Sequence, residues 1–328
     1  MNNMSDLAGK TILVTGSAGF IGFHVCKRLL EEGVRVVGFD NFNEYYDKTL
    51  KEDRNKMLEI FDNFTLYRAD LTNTEDIRLV MQENPIDQIC HLAAQTGVRY
   101  SMENPEVYMQ ANVVGFANLI EQARTFNIKD FLYMSSSSVY GGNTKLPFSE
   151  SDSVDHPISL YAVTKKSNEL LAHSYYHLFN MNCVGLRLFT VYGPYNRPDM
   201  AMYLFVKNIQ EGRPIKIHNH GEMKRDFTFI DDVVEGIVRS LKHDHPWEIL
   251  NIGSSNPVKL DYIVDCIEKS VGKKAIREYD ELQPGDIVDT YADISRAKEK
   301  IGYEPVVSIE DGIDQLVRWY KEYYKIGE

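Results

Sequence analysis

At 328 residues, 43% of them hydrophobic and 26% charged, the chain is long enough for one large domain or two smaller ones with a sizeable core. Its formal net charge of -12 excludes a general nucleic-acid or anionic-membrane binder, which needs a basic surface to neutralise phosphates. Any anionic ligand must be held by a few local cations. The opening residues MNNMSDLAGK lack the apolar stretch of a signal peptide, and no run approaches the roughly 18 apolar residues of a membrane span, so a cytoplasmic protein is expected. Cys26, Cys90, Cys183 and Cys266 show no CxxC spacing and read as reduced, buried thiols. The nine histidines show no HExxH-like pattern, and no metal is expected.

In chain order, short β-branched runs (KTILVTG, VRVVGFD, FTLYRAD, QICHLAA, DFLYMSS) alternate with amphipathic segments such as HVCKRLLEEG and EDIRLVMQEN. That alternation predicts βαβ units and a doubly wound parallel sheet of Rossmann type, with functional residues at the carboxyl ends of the strands. Residues 41–60, NFNEYYDKTLKEDRNKMLEI, form a charged insertion after the second run, expected as a solvated helix. From about residue 195 the regularity breaks into short strand-like pieces (PIKIHNHG, EILNIGS, KAIREYDE) and helices near 200–211, 231–242, 259–271 and 308–325. The expected organisation is a dinucleotide-binding domain over 1–194 and a smaller mixed α/β substrate-binding lobe over 195–328, with chain exchange between them allowed for.

The first strand runs into TGSAGFIG, which places Gly16, Gly19 and Gly22 in a strand-turn-helix where the chain turns tightly and the helix amides face a pyrophosphate. The spacing is GxxGxxG, and three glycines alone are weak grounds. Asp40 strengthens them: at the end of the second strand, a carboxylate accepts bonds from both ribose hydroxyls and repels a 2′-phosphate, which favours NAD over NADP. Asp70, Leu71, Leu92, Ala93 and Ala94 lie at the next strand ends, where adenine and ribose would sit, and Phe20, Ile21, Asn41, Asn43 and Asn112 complete the expected cofactor contacts.

Tyr161 and Lys165, in SLYAVTKKSNELL, are four apart and share a helix face. A phenol titrates near ~10, so it works as a base at neutral pH only if nearby positive charge stabilises the phenolate. Lys165 is expected to lower the Tyr161 pKa and, like Tyr161, to contact the cofactor. Upstream, SSSSVYGG places four hydroxyls at the end of the fifth strand.

With TGSAGFIG, SSSSVYGG, YAVTK and RDFTFIDD, the chain resembles the extended short-chain dehydrogenases/reductases over nearly its full length. That resemblance assigns the hydroxyl partner of the Tyr to Ser136, three places before Val139. Relatives that eliminate water or decarboxylate carry an acid beside this hydroxyl. Here Ser137 and Ser138 stand in its place, with Ser137 expected at the substrate, and the simplest fate of a 4-keto sugar is hydride return to the opposite face. The form FTVYGP…RPDMA and the insertion YYDKTLKEDR are similar to UDP-glucuronate 4-epimerases in particular. The implied carboxylate ligands are Thr190 and Arg197, and the chemistry agrees, since a guanidinium fork suits a carboxylate. Arg225 is implied at the diphosphate, His218 at the uracil where relatives carry Tyr or Phe, and Arg99 and Asp286 complete the expected substrate set. Asn196 replaces a usual Gly. Other UDP-sugars (UDP-N-acetylglucosaminuronate, UDP-glucose) and a non-catalytic NAD-binding module remain open alternatives. The resemblance also implies a homodimer through helices near 104–126 and 159–180.

Overall fold

A computed structural model describes residues 6–244, 246–281 and 289–327. The first half runs β1 (Thr11–Thr15), α1 (Phe20–Glu31), β2 (Arg35–Asp40), α2 (Thr49–Leu58), β3 (Phe64–Arg68), α3 (Thr74–Glu83) and β4 (Gln88–His91). Short α4 (Val98–Glu103) and α5 (Pro105–Tyr108) lead through a π-helical turn (Met109–Val114) into α6 (Gly115–Thr125), followed by β5 (Asp130–Ser136), α7 (Leu160–Phe179) and β6 (Asn182–Leu188). Then come β7 (Thr190–Tyr192), α8 (Ala201–Glu211), β8 (Pro214–His218), β9 (Lys224–Phe229), α9 (Ile230–Lys242), β10 (Trp247–Ile252), β11 (Pro257–Lys259), α10 (Leu260–Val271), β12 (Ile276–Asp280), α11 (Ser295–Ile301) and α12 (Ile309–Tyr323).

Seven parallel strands form the main sheet in the order β10-β6-β5-β4-β1-β2-β3. Every residue of β1 is buried, as a parallel strand covered by helices on both faces requires. The chain leaves β1 first toward β2 and β3 and then returns to β4 on its other side. This reversal opens a crevice past the carboxyl ends of β1 and β4, the place where such sheets bind ligands.

Two features depart from the sequence reading. The piece EILNIGS, expected in the smaller lobe, forms β10 and pairs with β6 in the main sheet, while α9 packs on α1. One apolar cluster therefore runs from Leu7 and Val14 through Ile237 to Trp319, joining the sheet to the C-terminal half, where β11-β9-β7 and β12-β8 form two small sheets. The insertion is also not a solvated helix: α2 buries Leu50 and Leu58 together with Lys51, Arg54 and Asn55. Its polar residues find partners across the molecule, which a hydrophobicity pattern cannot reveal. Cys26, Cys90 and Cys183 are buried free thiols, whereas Cys266 is only partly covered.

Candidate active site

The crevice holds a cavity of about 440 Å³. Its cofactor side is backbone-built. Gly16 has φ +73°, and a Cβ there would lie 2.7 Å from the Ala93 nitrogen; a Cβ on Gly22 would lie 2.0 Å from the Gly16 oxygen. The turn closes against β4, where the Ala93 N–H donates to Thr15 Oγ1 (3.2 Å) and the Thr15 hydroxyl pairs with His91 Nδ1 (2.8 Å). Burial pushes His91 down to about 3, so the imidazole is neutral. No side chain caps α1 at Gly19 and no acidic residue occupies its first turn, which leaves the helix N–H groups to an anion.

Asp40 accepts the Ala18 N–H (3.1 Å) and the Phe42 N–H (2.8 Å). Burial raises its pKa, and those bonds and the charges of Lys51 and Arg54 act against the rise. Asn41 donates to Asp70 Oδ2 (2.8 Å), and Asn43 receives the Lys51 ammonium at its Oδ1 (2.9 Å). Every residue expected at the cofactor lines this cavity except Asn112. Asn112 lies one layer behind: its amide bonds the backbone of Gln95 and donates to Thr164 Oγ1 (3.0 Å), tying the loop after β4 to α7.

The catalytic pair meets at the centre. Ser159 caps α7 by accepting the Ala162 N–H (3.2 Å), worth about 1 kcal/mol, and this sets Tyr161 in the first turn facing the end of β5. The serine run divides by strand alternation and turn geometry. Ser135 donates to Glu169 Oε1 (2.6 Å), which with Glu169 Oε2 holds Arg187 in a buried two-pronged pair (2.9 Å each). Ser136 accepts the Ser138 N–H (3.2 Å) and donates to Ser138 Oγ (3.2 Å), and Ser136, Ser137, Ser138 and Tyr161 all line the cavity.

Burial raises the Tyr161 pKa above its ordinary value, and the opposing influences are the Ser136 hydrogen bond and then the charge of Arg197. The Lys165 ammonium donates to the Met134 carbonyl (2.8 Å) and lies 6.0 Å from the Tyr161 ring centre, and burial pushes it down to about 8. With no carboxylate partner, the buried lysine is held by a carbonyl dipole alone, which stabilises its charge poorly.

Thr190 and Arg197 line the same cavity on its far side. Arg197 Nη2 donates to Asp199 Oδ2 (3.0 Å) and the Arg197 backbone N–H to Asn196 Oδ1 (2.7 Å). Tyr45 OH donates to the same Asp199 oxygen (3.1 Å). Sequence reasoning missed Tyr45, Tyr46 and Lys51, which also line the cavity; the insertion that supplies them was visible, its fold-back was not. His218, Arg225 and Arg99 lie outside the cavity lining: His218 ends β8 with Nε2 3.4 Å from Arg99 Nη1, and Arg225 pairs with Val258 in the β9–β11 ladder. Asp286 lies outside the described residues.

Residues 12–253 match the model of the NAD dependent epimerase/dehydratase family. The chain belongs to that family. The protein CapI of Staphylococcus aureus is 47% identical over 332 residues, covering 96% of this chain and 99% of that protein. A UDP-glucuronate 4-epimerase of Thermodesulfobacterium geofontis is 45% identical over 311 residues, covering 94% and 96%. Among solved structures, the UDP-glucuronic acid 4-epimerase of Bacillus cereus in complex with UDP-glucuronic acid and NAD superposes with a TM-score of 0.91 at 38% identity, covering 96% of this chain and all of that one. The residues present fit the family's NAD: the glycine turn excludes any Cβ at Gly16 and Gly22, the α1 N-terminus is uncapped, and Asp40 is aimed into the cavity.

Proposed function

We propose that this chain is an NAD-dependent 4-epimerase that interconverts UDP-glucuronate and UDP-galacturonate. One observation carries the reading: Ser136 and Tyr161 share a cavity with Thr190 and Arg197, and serines stand at 137 and 138, the two positions after Ser136. A proton-handling pair and a carboxylate clamp are thus combined without an acid to drive elimination.

Bound in the glycine turn, NAD supplies the acceptor for the C4 hydride, the donor that returns it and, when oxidised, a positive charge. Ser136 holds the sugar's 4-hydroxyl by a hydrogen bond, and Tyr161 as phenolate takes its proton as the C4–H bond breaks. The resulting 4-keto sugar turns over in the cavity, hydride adds to the opposite face, and Tyr161 gives the proton back to O4. Arg197 stabilises the Tyr161 phenolate and binds the sugar carboxylate with Thr190; its charge is therefore used twice. Arg225 is assigned to the diphosphate and His218 to the uracil, with Arg99 as an extra sugar contact. Residues 1–194 form the NAD half and 195–328 the sugar half, with α9 and β10 passing back to the former.

The test is to incubate the purified protein with UDP-glucuronate and no added NAD. An isomer of unchanged mass, identified as UDP-galacturonate, supports the assignment; a product lighter by carbon dioxide, or turnover of neutral UDP-sugars alone, overturns it. A homodimer is part of the reading: Met109 and Val114 in the π-helical turn and Val163, Leu170 and Leu178 on α7 are exposed apolar residues on the two expected helical segments. Leu170→Glu should shift the mass measured by light scattering from two chains to one. A cytoplasmic location is part of the reading, supported by the free thiols and a UDP-sugar substrate; no described helix is long and apolar enough to cross a membrane.

A further inference from the structure

The charged insertion 41–60 supplies no group to the proton transfer described above, yet it touches both sides of the cavity. Arg54 of α2 is fully buried. It donates through Nη1 to the carbonyl of Ala18 in the glycine turn (3.0 Å) and through Nη2 to the carbonyl of Tyr195 (2.6 Å), two residues before Arg197. Nη1 also donates to the Tyr46 phenol (2.8 Å). Its direct hydrogen-bond partners are two carbonyls and a phenol, and Asp40 is felt only through its charge. A buried cation hydrogen-bonded only to dipoles is costly to keep for stability alone. What it achieves here is geometric, because the rigid fork fixes the distance between two carbonyls far apart in the chain.

A second link runs from the same insertion. The Tyr45 N–H donates to Asn43 Oδ1 (3.3 Å), and its ring packs on Tyr100 with centres 4.9 Å apart. Its hydroxyl donates to Asp199, which in turn holds Arg197 Nη2. Burial and the Asp199 charge push Tyr45 up to about 12, so it stays a donor at neutral pH. Asp199 and Met200 Sδ both engage Nη2, and Nε is buried without a hydrogen-bond partner among the described residues. The loop itself is strained into place: Tyr195 sits at φ +59°, its ring packed against Phe23 and Trp319, while the Pro194 carbonyl accepts from His24 Nε2 (3.0 Å). A free arginine side chain loses up to about 2 kcal/mol of rotamer entropy on being fixed, and a clamp made before binding removes that loss from the binding step.

We propose that the insertion is a specificity device: Arg54 and Tyr45 are positioning residues that aim Arg197 at the sugar carboxylate and tie its loop to the dinucleotide turn. The proposal rests on the uronate reading of the site. It is tested on the NAD-containing protein with Tyr45→Phe and Arg54→Lys. Affinities for UDP and for UDP-glucuronate are measured by calorimetry, together with KM and kcat. UDP lacks the sugar, so it reports on the rest of the site.

In Tyr45→Phe the preference for UDP-glucuronate over UDP falls about tenfold, the size of one lost hydrogen bond to a charged group. The change is carried by KM rather than kcat, with UDP affinity and bound NAD unchanged. Arg54→Lys, which spans one carbonyl and not two, lowers the same preference further. An unchanged preference in Tyr45→Phe overturns the proposal even if Arg54→Lys fails to fold. Equal losses for UDP and UDP-glucuronate also overturn it, since they mark a merely structural role. A parent protein with no preference for UDP-glucuronate over UDP overturns the uronate reading first, and this proposal with it.

Discussion

The two sides of the cavity are built on opposite principles. On the cofactor side, contiguous stretches at the ends of β1, β2, β3 and β4 present backbone: the Gly16–Gly22 turn, the α1 N-terminus and the Leu92–Ala94 segment. On the sugar side, single side chains arrive from distant places, Thr190 on β7, Arg197 on the loop before α8, Tyr45 from the insertion, and each needs a partner to hold it. A common ligand is read largely by backbone geometry, where a Cβ at Gly16 or Gly22 is an error, and a particular one by charged side chains, where aim decides.

Four experiments break or sharpen that contrast. Gly22→Ala should act on the cofactor side alone and most severely, because the new methyl would sit 2.0 Å from the Gly16 oxygen and only the backbone can move. The expected outcome is protein purified without bound NAD and without turnover, read from the absorbance and mass of released cofactor. Tyr161→Phe acts where the two sides meet: kcat should fall about a thousandfold while NAD stays bound, the usual scale for loss of a general acid and base.

Lys165→Met tests the price of a buried cation at that junction. Burial lowers Lys165 to about 8 from 10.5, so the unfolded chain keeps this proton over a range where the folded chain has lost it. Stability therefore rises with pH between about 8 and 10.5, by at most about 3 kcal/mol, and the full penalty is present below 8. Denaturant titrations should show the parent gaining on Lys165→Met across that window; a difference independent of pH refutes the assignment. On the sugar side, Arg197→Ala should reduce kcat/KM for UDP-glucuronate about thirtyfold and leave bound NAD in place, as expected for one charged contact. Retained turnover would remove the carboxylate role.

The pattern of legibility follows the same contrast. The alternation of β-branched and amphipathic runs was enough for the parallel sheet, because a strand covered on both faces must be apolar along its length, and β1 is. GxxGxxG, Asp40 and the Tyr161–Lys165 spacing were readable because each acts through neighbours a few residues away in the chain. The placement of β10 was not: EILNIGS is equally apolar in a small lobe or at the edge of the main sheet, and its pairing with β6 depends on α9 first crossing back over α1. Nor was the fate of the insertion, whose charged residues look solvated until Arg54 is seen between Ala18 and Tyr195. Spacing places Lys165 beside Tyr161, but the bond its ammonium makes to the Met134 carbonyl is visible only in the fold. Local conformation and burial leave a periodic trace along the chain, and residue order was sufficient for them. The aim of a charged side chain depends on partners that the chain brings together only when it folds, and such pairings leave no periodicity to read.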